Sequence, residues 1–414
     1  MIVKIIQFLL AVYARRAISA YKPEIVGITG SVGKTSVKEA VAKVLSLRFR
    51  LRETYKNYNN EIGLPLTILG LISPGRSIKG WLNVFKQARR LARGAANDYP
   101  ECLILEMGID HPSDMDYLVG IARPSRAVIT KLGQAHLEFF KSLDHLHAEK
   151  FKLAQAIRDD GWIIYNADDE KLSSLVAKST KRAISFGFSD KAEIKAEGAA
   201  FITDNDGISG QGFKLQYRGS TIPVFLPNTL GRPAIYAALA AAATAATFDM
   251  NGLEVAEALR TVKQPAGRMQ LISGLNDSLI VDDTYNASPD SVFEGLKALR
   301  EIPQEKRRRV FALLGSMKEL GELSRQGHED IASAASEISD FIIGVGEEAK
   351  VVSDLWFADS EMAGEYVAGK LEPGDLIYVK GSQAARMEKA VKRLMAQPEN
   401  AGNLLVRQGK EWER

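Results

Sequence analysis

The sequence predicts an α/β protein: a central domain with a mostly parallel sheet and a small antiparallel subsheet, followed by a C-terminal Rossmann-like α/β domain. Three observations predict it. Short apolar runs of strand length alternate with stretches of helical period along most of the chain. That rhythm breaks once, between about Arg182 and Leu226, where alternating runs are interrupted at Asn205-Asp206-Gly207 and at Gly210–Gly212. It then resumes for a last part of about 150 residues, the size of a second α/β unit.

The segment 1–22 stands apart from the rest. It carries Lys4, Arg15, Arg16 and Lys22 and no acid. Its apolar stretch Ile5–Ala14 is shorter than the ~20 residues a bilayer span needs, and no small-residue cleavage site follows it as in a secretory signal. Two readings fit: a helix lying on an anionic membrane surface, or a helix packed on the protein body or on a second copy. A second basic stretch, Ile62–Asn97, also lacks acids and mixes Trp81, Leu82 and Phe85 with Arg76, Lys86 and Arg89. It reads as a membrane-surface helix or as a solvated helix with a basic outer face.

The central domain is placed at 23–265. Ile25–Ile28 is a strand entering a glycine turn, and Val37, Ala40, Val41, Val44 and Leu45 recur at helical spacing after it. Further strands are expected at Cys102–Met107, Ala127–Leu132 and Trp162–Asn166, and a helix at Pro233–Phe248 with proline near its start, where proline is tolerated. The C-terminal domain, 266–414, is expected to carry strands at Leu279–Asp282, Val310–Leu314, Phe341–Val345 and Leu376–Val379.

Composition excludes several classes. At 46% hydrophobic and 25% charged, the 414 residues read as a folded protein with a sizeable core. A formal charge of +3 does not argue for nucleic acid. The one cysteine, Cys102, allows no internal disulfide and fits a reducing cytoplasm; inside an apolar run it reads as a packed residue rather than a reactive thiol.

The strongest chemical signal is GITGSVGKTS, Gly27–Ser36. A phosphate-binding P-loop needs glycines so that backbone N–H groups approach the phosphates. Its lysine reaches the β- and γ-phosphates, and its hydroxyl ligates Mg²⁺. Here Gly30, Ser31, Val32 and Gly33 form the turn, Lys34 and Thr35 fill the side-chain roles, and Ser36 begins the helix whose N-terminus favours anions. Ile28 stands where the usual spacing has its first glycine. Glu106 ends a strand, where an acid often holds the metal. His145 and His147 form an H-x-H pair, but no third ligand is placed to make a zinc site.

The ordered set GITGSVGKTS, NYNNEIGLPLTIL, LEMGIDHP, GQAHLEFF, AEKFKL, GRMQ, DDTYNASPDS, LLGSMKELG and VKGSQAARME resembles the Mur ligases, from about Pro23 to Val391. The resemblance implies an ATP-dependent ligase that activates a carboxylate as an acyl-phosphate and joins it to an amine, D-alanyl-D-alanine or a similar one, in peptidoglycan synthesis. It implies that Lys34 and Thr35 bind ATP and Mg²⁺, that Glu106 and His136 hold metal, and that Lys150 is the lysine the family carbamylates. It further implies nucleotide contacts for Arg268, Asp283, Tyr285 and Asn286. Substrate contacts fall to Asn59, Asn60, Lys380 and Ser382.

Three departures accompany it. The family enzyme has an N-terminal domain for the uridine nucleotide of its substrate, whereas ~22 residues precede the phosphate-loop strand here; a lipid-linked substrate is the alternative. Ala234 and Ala237 occupy the places of adenine-contacting asparagines in GRPAIYAALAA, and Ser316 replaces an aspartate. The competing readings are a folylpolyglutamate or cyanophycin type of amide ligase, against which NYNNEIGLP and DDTYNASPDS argue, and a nucleotide-dependent binding protein that ligates nothing.

Overall fold

The computed structural model describes residues 2–55, 58–133, 139–204, 207–302, 309–318, 320–353, 355–409 and 412. The chain forms two compact units. The first comprises Met1–Glu197, Lys214–Val224 and Tyr236–Val262; the second comprises Gly198–Phe213, Phe225–Ile235 and Lys263–Arg414.

The elements up to the central helix are α1 (Ile2–Tyr21), β1 (Glu24–Thr29), α2 (Lys34–Leu45), β2 (Leu51–Glu53), α3 (Gly63–Leu69), α4 (Ile78–Leu91), β3 (Cys102–Glu106), α5 (Asp114–Ile121), β4 (Arg126–Ile129) and α6 (Leu143–Gln155). They continue as β5 (Trp162–Asn166), α7 (Glu170–Val176), β6 (Arg182–Gly187), β7 (Ile194–Asp204), β8 (Gly207–Tyr217), β9 (Ser220–Pro227), α8 (Arg232–Ala246) and α9 (Gly252–Leu259). Their sheet has the order β2-β3-β1-β4-β5-β6-β7-β8-β9, and the pairs from β2 to β6 are parallel.

Parallel strands need both faces covered, which is why these runs are apolar throughout rather than alternating. Ile25, Leu103, Leu105, Ala127, Ile129 and Ile163 meet Leu10 and Ala14 of α1, Leu64 and Leu66 of α3, and Leu146 and Leu153 of α6 in one core. The residues between them, such as Val26, Ile28, Ile104 and Val128, are buried on the opposite face. β1 lies between β3 and β4, so successive crossovers leave it in opposite directions. The ends of strands at such a switch point form a crevice suited to a ligand.

The sequence places the start of the antiparallel region at Arg182; it begins later. β6 pairs in parallel with β5 over Trp162–Asn166 and extends the main sheet. β7, β8 and β9 follow in order, and only two residues separate β8 from β9. Parallel neighbours need a crossover of about a dozen residues, so β8 and β9 are antiparallel. Their turn, Arg218-Gly219, has φ of 48° and 81°, the backbone of a hairpin turn whose twist matches its strands.

The last part holds β10 (Gln270–Ser273), β11 (Leu279–Asp283), α10 (Pro289–Arg300), β12 (Val310–Gly315), α11 (Ser324–Ser336), β13 (Phe341–Val345), β14 (Trp356–Phe357), α12 (Ser360–Ala368), β15 (Leu376–Lys380), α13 (Glu388–Leu394) and α14 (Ala401–Leu404). The sheet order is β10-β11-β15-β12-β13-β14, parallel except at the β10–β11 pair. Strand periodicity divides its core. Val310, Ala312 and Leu314 face one cluster with Leu296 and Ile331, while Phe311 and Leu313 face another with Val367 and Val391.

The strands expected from sequence are all present. β2, β10 and β14 were not legible: they have three, four and two residues, too few for a period to register. Cys102 is fully buried and burial pushes its thiol up to about 12, so it is core.

Candidate active site

Two clusters of charged side chains form, one in each unit, and each lies at the C-terminal ends of parallel strands.

In the first unit the turn after β1 is fixed by glycine. Gly30 has φ 143°, and a Cβ there would lie 2.0 Å from the Thr130 hydroxyl, so no side chain fits. That hydroxyl donates to the Val32 carbonyl at 2.6 Å, and the Ser31 N–H donates to the Lys131 carbonyl at 2.8 Å. The end of β4 thus braces the loop. Gly33, at φ 84°, caps α2 in the left-handed region. The backbone N–H groups at the start of α2 point out of the helix toward the loop.

Charged side chains converge on this turn. Lys34 donates to the Gly30 carbonyl at 2.8 Å, curled over its own loop. The Thr35 hydroxyl donates to the Glu106 carboxylate at 3.0 Å. Asn59 donates to the other Glu106 oxygen at 3.3 Å, and the Glu106 N–H donates to the Thr54 hydroxyl at 2.9 Å. Lys150, buried on α6, donates to the Ser31 hydroxyl at 2.7 Å, and that oxygen also accepts from the Gly133 N–H at 2.8 Å.

Lys34, Thr35, Glu106, Asn59 and Lys150, spread over 117 positions of sequence, therefore meet at one loop. Thr54 and Thr130, which support them, carried no sequence signal beyond being polar at strand ends. Hydroxyl and carboxylate oxygens side by side are the donor set a hard cation such as Mg²⁺ takes. His136 lies outside the described residues. The Asn60 side-chain oxygen accepts the N–H groups of Ile62 and Gly63 at 3.3 and 3.0 Å at the start of α3. His147 is buried on α6, where burial lowers its pKa, while His145 stacks its ring edge-on against Phe140.

The segment that the resemblance aligns with adenine contacts is built from different groups. Ala234 and Ala237 are buried methyls on α8. The polar atom that this helix presents nearby is Tyr236, whose hydroxyl donates to Asp168 at 2.8 Å while its ring meets Phe188 edge-on.

In the second unit strand register sets the cluster. Asp283 pairs with Lys380 across β11 and β15, and both are buried. Lys380 donates to the Asp283 carboxylate at 2.6 Å and to the Asn286 carbonyl at 2.9 Å; the Tyr378 hydroxyl donates to the same carboxylate at 3.2 Å. Burial raises the Asp283 pKa, and Lys380 opposes that rise. Asp282 accepts from the Thr284 hydroxyl at 2.6 Å and from the Gly267 N–H at 3.2 Å, yet burial still pushes it up to about 6. The Arg268 guanidinium lies 4.0 Å over the Tyr285 ring. Ser382 is buried beside Ser316, donating its N–H to the Ser316 carbonyl at 3.1 Å.

Comparison with known proteins bears on both clusters. The profile of the Mur ligase middle domain matches residues 28–75 and 85–245, and that of the Mur ligase, glutamate ligase domain matches residues 267–383. The UDP-N-acetylmuramoyl-tripeptide–D-alanyl-D-alanine ligase of Mycobacterium tuberculosis (strain ATCC 25618 / H37Rv) is 30% identical over 402 residues, covering 90% of this chain and 73% of that protein. The enzyme of the same name from Escherichia coli (strain K12) is 29% identical, covering 93% of this chain and 79% of that protein. Among solved structures, the MurF ligase from Thermotoga maritima in complex with ADP superposes with a TM-score of 0.79 at 26% identity, covering 95% of this chain and 84% of that one.

Proposed function

The chain belongs to the Mur ligase family, and on that premise we propose that it adds D-alanyl-D-alanine or a similar amine to a peptidoglycan precursor at the phosphate loop of its first unit. It is an ATP-dependent amide-bond-forming enzyme. The observation that carries the reading is the convergence of Lys34, the Thr35–Glu106 pair and Lys150 on the Gly30–Ser36 turn.

The reaction has two steps. A substrate carboxylate oxygen attacks the γ-phosphorus of ATP, ADP leaves, and an acyl-phosphate forms. The amine nitrogen then attacks the acyl carbon, the carbon–oxygen bond to phosphate breaks, and the amine loses a proton as the amide forms.

Lys34 and the N–H groups at the start of α2 hold the phosphates and offset the charge that shifts toward ADP. Lys34 leaves the Gly30 carbonyl to do so. Thr35 and Glu106 would hold Mg²⁺, with His136 and a carbamylated Lys150 as further ligands. When bound, the ion would supply charge neutralisation on the transferring phosphoryl oxygens. Asn59 keeps the Glu106 carboxylate aimed at Thr35. Arg268, Asp283, Tyr285 and Asn286 are the proposed nucleotide contacts of the second unit, and Lys380 and Ser382 its proposed amine contacts. Asn60 is the second proposed substrate contact of the first unit.

On this reading the enzyme works in the cytoplasm at the inner face of the membrane, which the mixed apolar and basic exterior of α1 and α4 supports. Release of ADP and phosphate that depends on both a murein peptide acid and an amine, with the ligated product seen by mass spectrometry, tests the reading. Absence of release with every murein peptide and dipeptide pair would contradict it.

A further inference from the structure

No helix among the described residues is long and apolar enough to cross a membrane, yet α1 and α4 expose large apolar side chains that a solvated surface does not require. Ile78 is 78% exposed, Ile2 72%, Leu82 66% and Phe8 63%. They lie together because the two helices pack side by side and run the same way. The Tyr13 and Phe85 rings are 6.5 Å apart. Farther along, Ala20 approaches Gly94, and the Ala96 N–H donates to the Tyr21 hydroxyl at 2.8 Å. Contacts that advance together on both helices mean parallel axes. Going back two turns from the Tyr13–Phe85 contact, about 10 Å along each axis, brings Ile6, one turn into α1, beside Ile78.

Each helix buries one side and exposes one stripe. On α1, Leu10, Ala14 and Ala17 enter the core, while Ile5, Phe8 and Arg15 are exposed along one side, with the half-buried Val12 between them. On α4, Val84 and Ala88 are buried, while Ile78, Leu82, Lys86 and Arg89 form the exposed row. The α4 stripe is apolar in its first half and basic in its second, and the α1 stripe runs from Ile5 and Phe8 to Arg15, so parallel packing sets apolar beside apolar and basic beside basic.

Charge is partitioned in the same place. Of 54 Lys and Arg and 51 Asp and Glu in the chain, ten cations and no acids fall in segments 1–23 and 62–97, leaving 44 cations against 51 acids elsewhere. The acidic remainder contrasts with these two segments, whose exposed stripes set Arg15, Lys86 and Arg89 beside Phe8, Ile78 and Leu82.

We propose that the paired outer stripes of α1 and α4 are a docking surface for an anionic lipid bilayer. This rests on the reading that the enzyme works at the inner membrane face, and it identifies the surface that holds it there. The apolar halves enter the boundary between headgroups and acyl chains, and the basic halves lie over lipid phosphates. A helix pair is held flat by two parallel rows of contacts, so the first unit meets the membrane in one orientation.

The test is co-sedimentation of the full chain with vesicles of mixed phosphatidylglycerol and phosphatidylcholine. Binding is expected to fall in high salt and to be lost on pure phosphatidylcholine, because screening and loss of anionic lipid both remove the attraction of the basic halves. The variants F8S/L82S and K86E/R89E are each expected to lose about tenfold or more in vesicle affinity, with phosphate release on water-soluble substrates unchanged. Wild-type binding that both variants retain would overturn the surface while leaving the membrane reading intact. Absence of wild-type binding would overturn both, and neither result bears on ligation. A concentration-dependent dimer that F8S/L82S dissociates would assign the stripes to a second copy and overturn the proposal.

Discussion

The charged clusters of the two units sit at equivalent places, the C-terminal ends of parallel strands, and are arranged in opposite ways. Around the phosphate loop the cations, Lys34 and Lys150, donate to a backbone carbonyl and a serine hydroxyl. Both ammonium groups thus lie at the turn where the phosphates of a nucleotide are proposed to sit. In the second unit Lys380 is closed on Asp283, with Tyr378 and the Asn286 carbonyl completing a buried shell. We read the first cluster as the one that carries the phosphoryl chemistry, and the buried Asp283–Lys380 pair of the second as holding its strand ends while presenting the proposed contacts for nucleotide and amine.

The largest effect is expected at Lys34. Lys34→Ala should lower kcat for phosphate release by about a thousandfold, because one preorganised charge on a transferring phosphoryl group contributes that much, with the thermal midpoint little changed. Equal activity in variant and wild type would break the contrast between the clusters.

At Lys380 the expected loss is in folding. Lys380→Met leaves Asp283 buried without its cation and should cost about 3–5 kcal/mol in denaturant unfolding of the second unit. The double variant D283N/K380M should recover much of that loss. If the single variant unfolds like wild type, the sealed pair is not what holds these strand ends.

Asp282 gives a pH signature. Its folded pKa of about 6 exceeds the usual 3.8, so between pH 4 and 6 the native state binds more protons than the unfolded one, and stability falls as pH rises through that window. Relative to Asp282→Asn, wild type should lose roughly 2 kcal/mol from pH 4 to pH 7. A flat difference across that range would contradict the assigned burial effect. The smallest effect is expected at Asn59: removing one hydrogen bond to Glu106 in N59A should reduce kcat/KM by about tenfold, with folding unchanged.

Much of this was legible in the sequence, for identifiable reasons. Buried parallel strands are continuous apolar runs, so β1, β3, β4, β5 and the four long strands of the last sheet could be read directly. The loop was legible because its glycines answer to backbone geometry, and Gly30 indeed has no room for a side chain. That Glu106 and Lys150 would reach the loop was not readable from spacing; the family resemblance proposed it, and the fold brings both to hydrogen-bonding distance of the turn. The roles of Thr54, Thr130 and Tyr378 were invisible because they depend on strand order and register, which no local pattern encodes. The basic stretch Ile62–Asn97 misled in one respect: it is two helices, α3 and α4, separated by Gly70–Ser77, with Ser77 capping the second through the Gly80 N–H.

The central claim is that the first unit activates a carboxylate by taking the γ-phosphoryl group onto it. Ligation with an acid labelled with oxygen-18 in its carboxyl group tests this most directly. Labelled oxygen is expected in the released phosphate, with ADP as the nucleotide product. Unlabelled phosphate alongside a formed amide, or AMP in place of ADP, would contradict it.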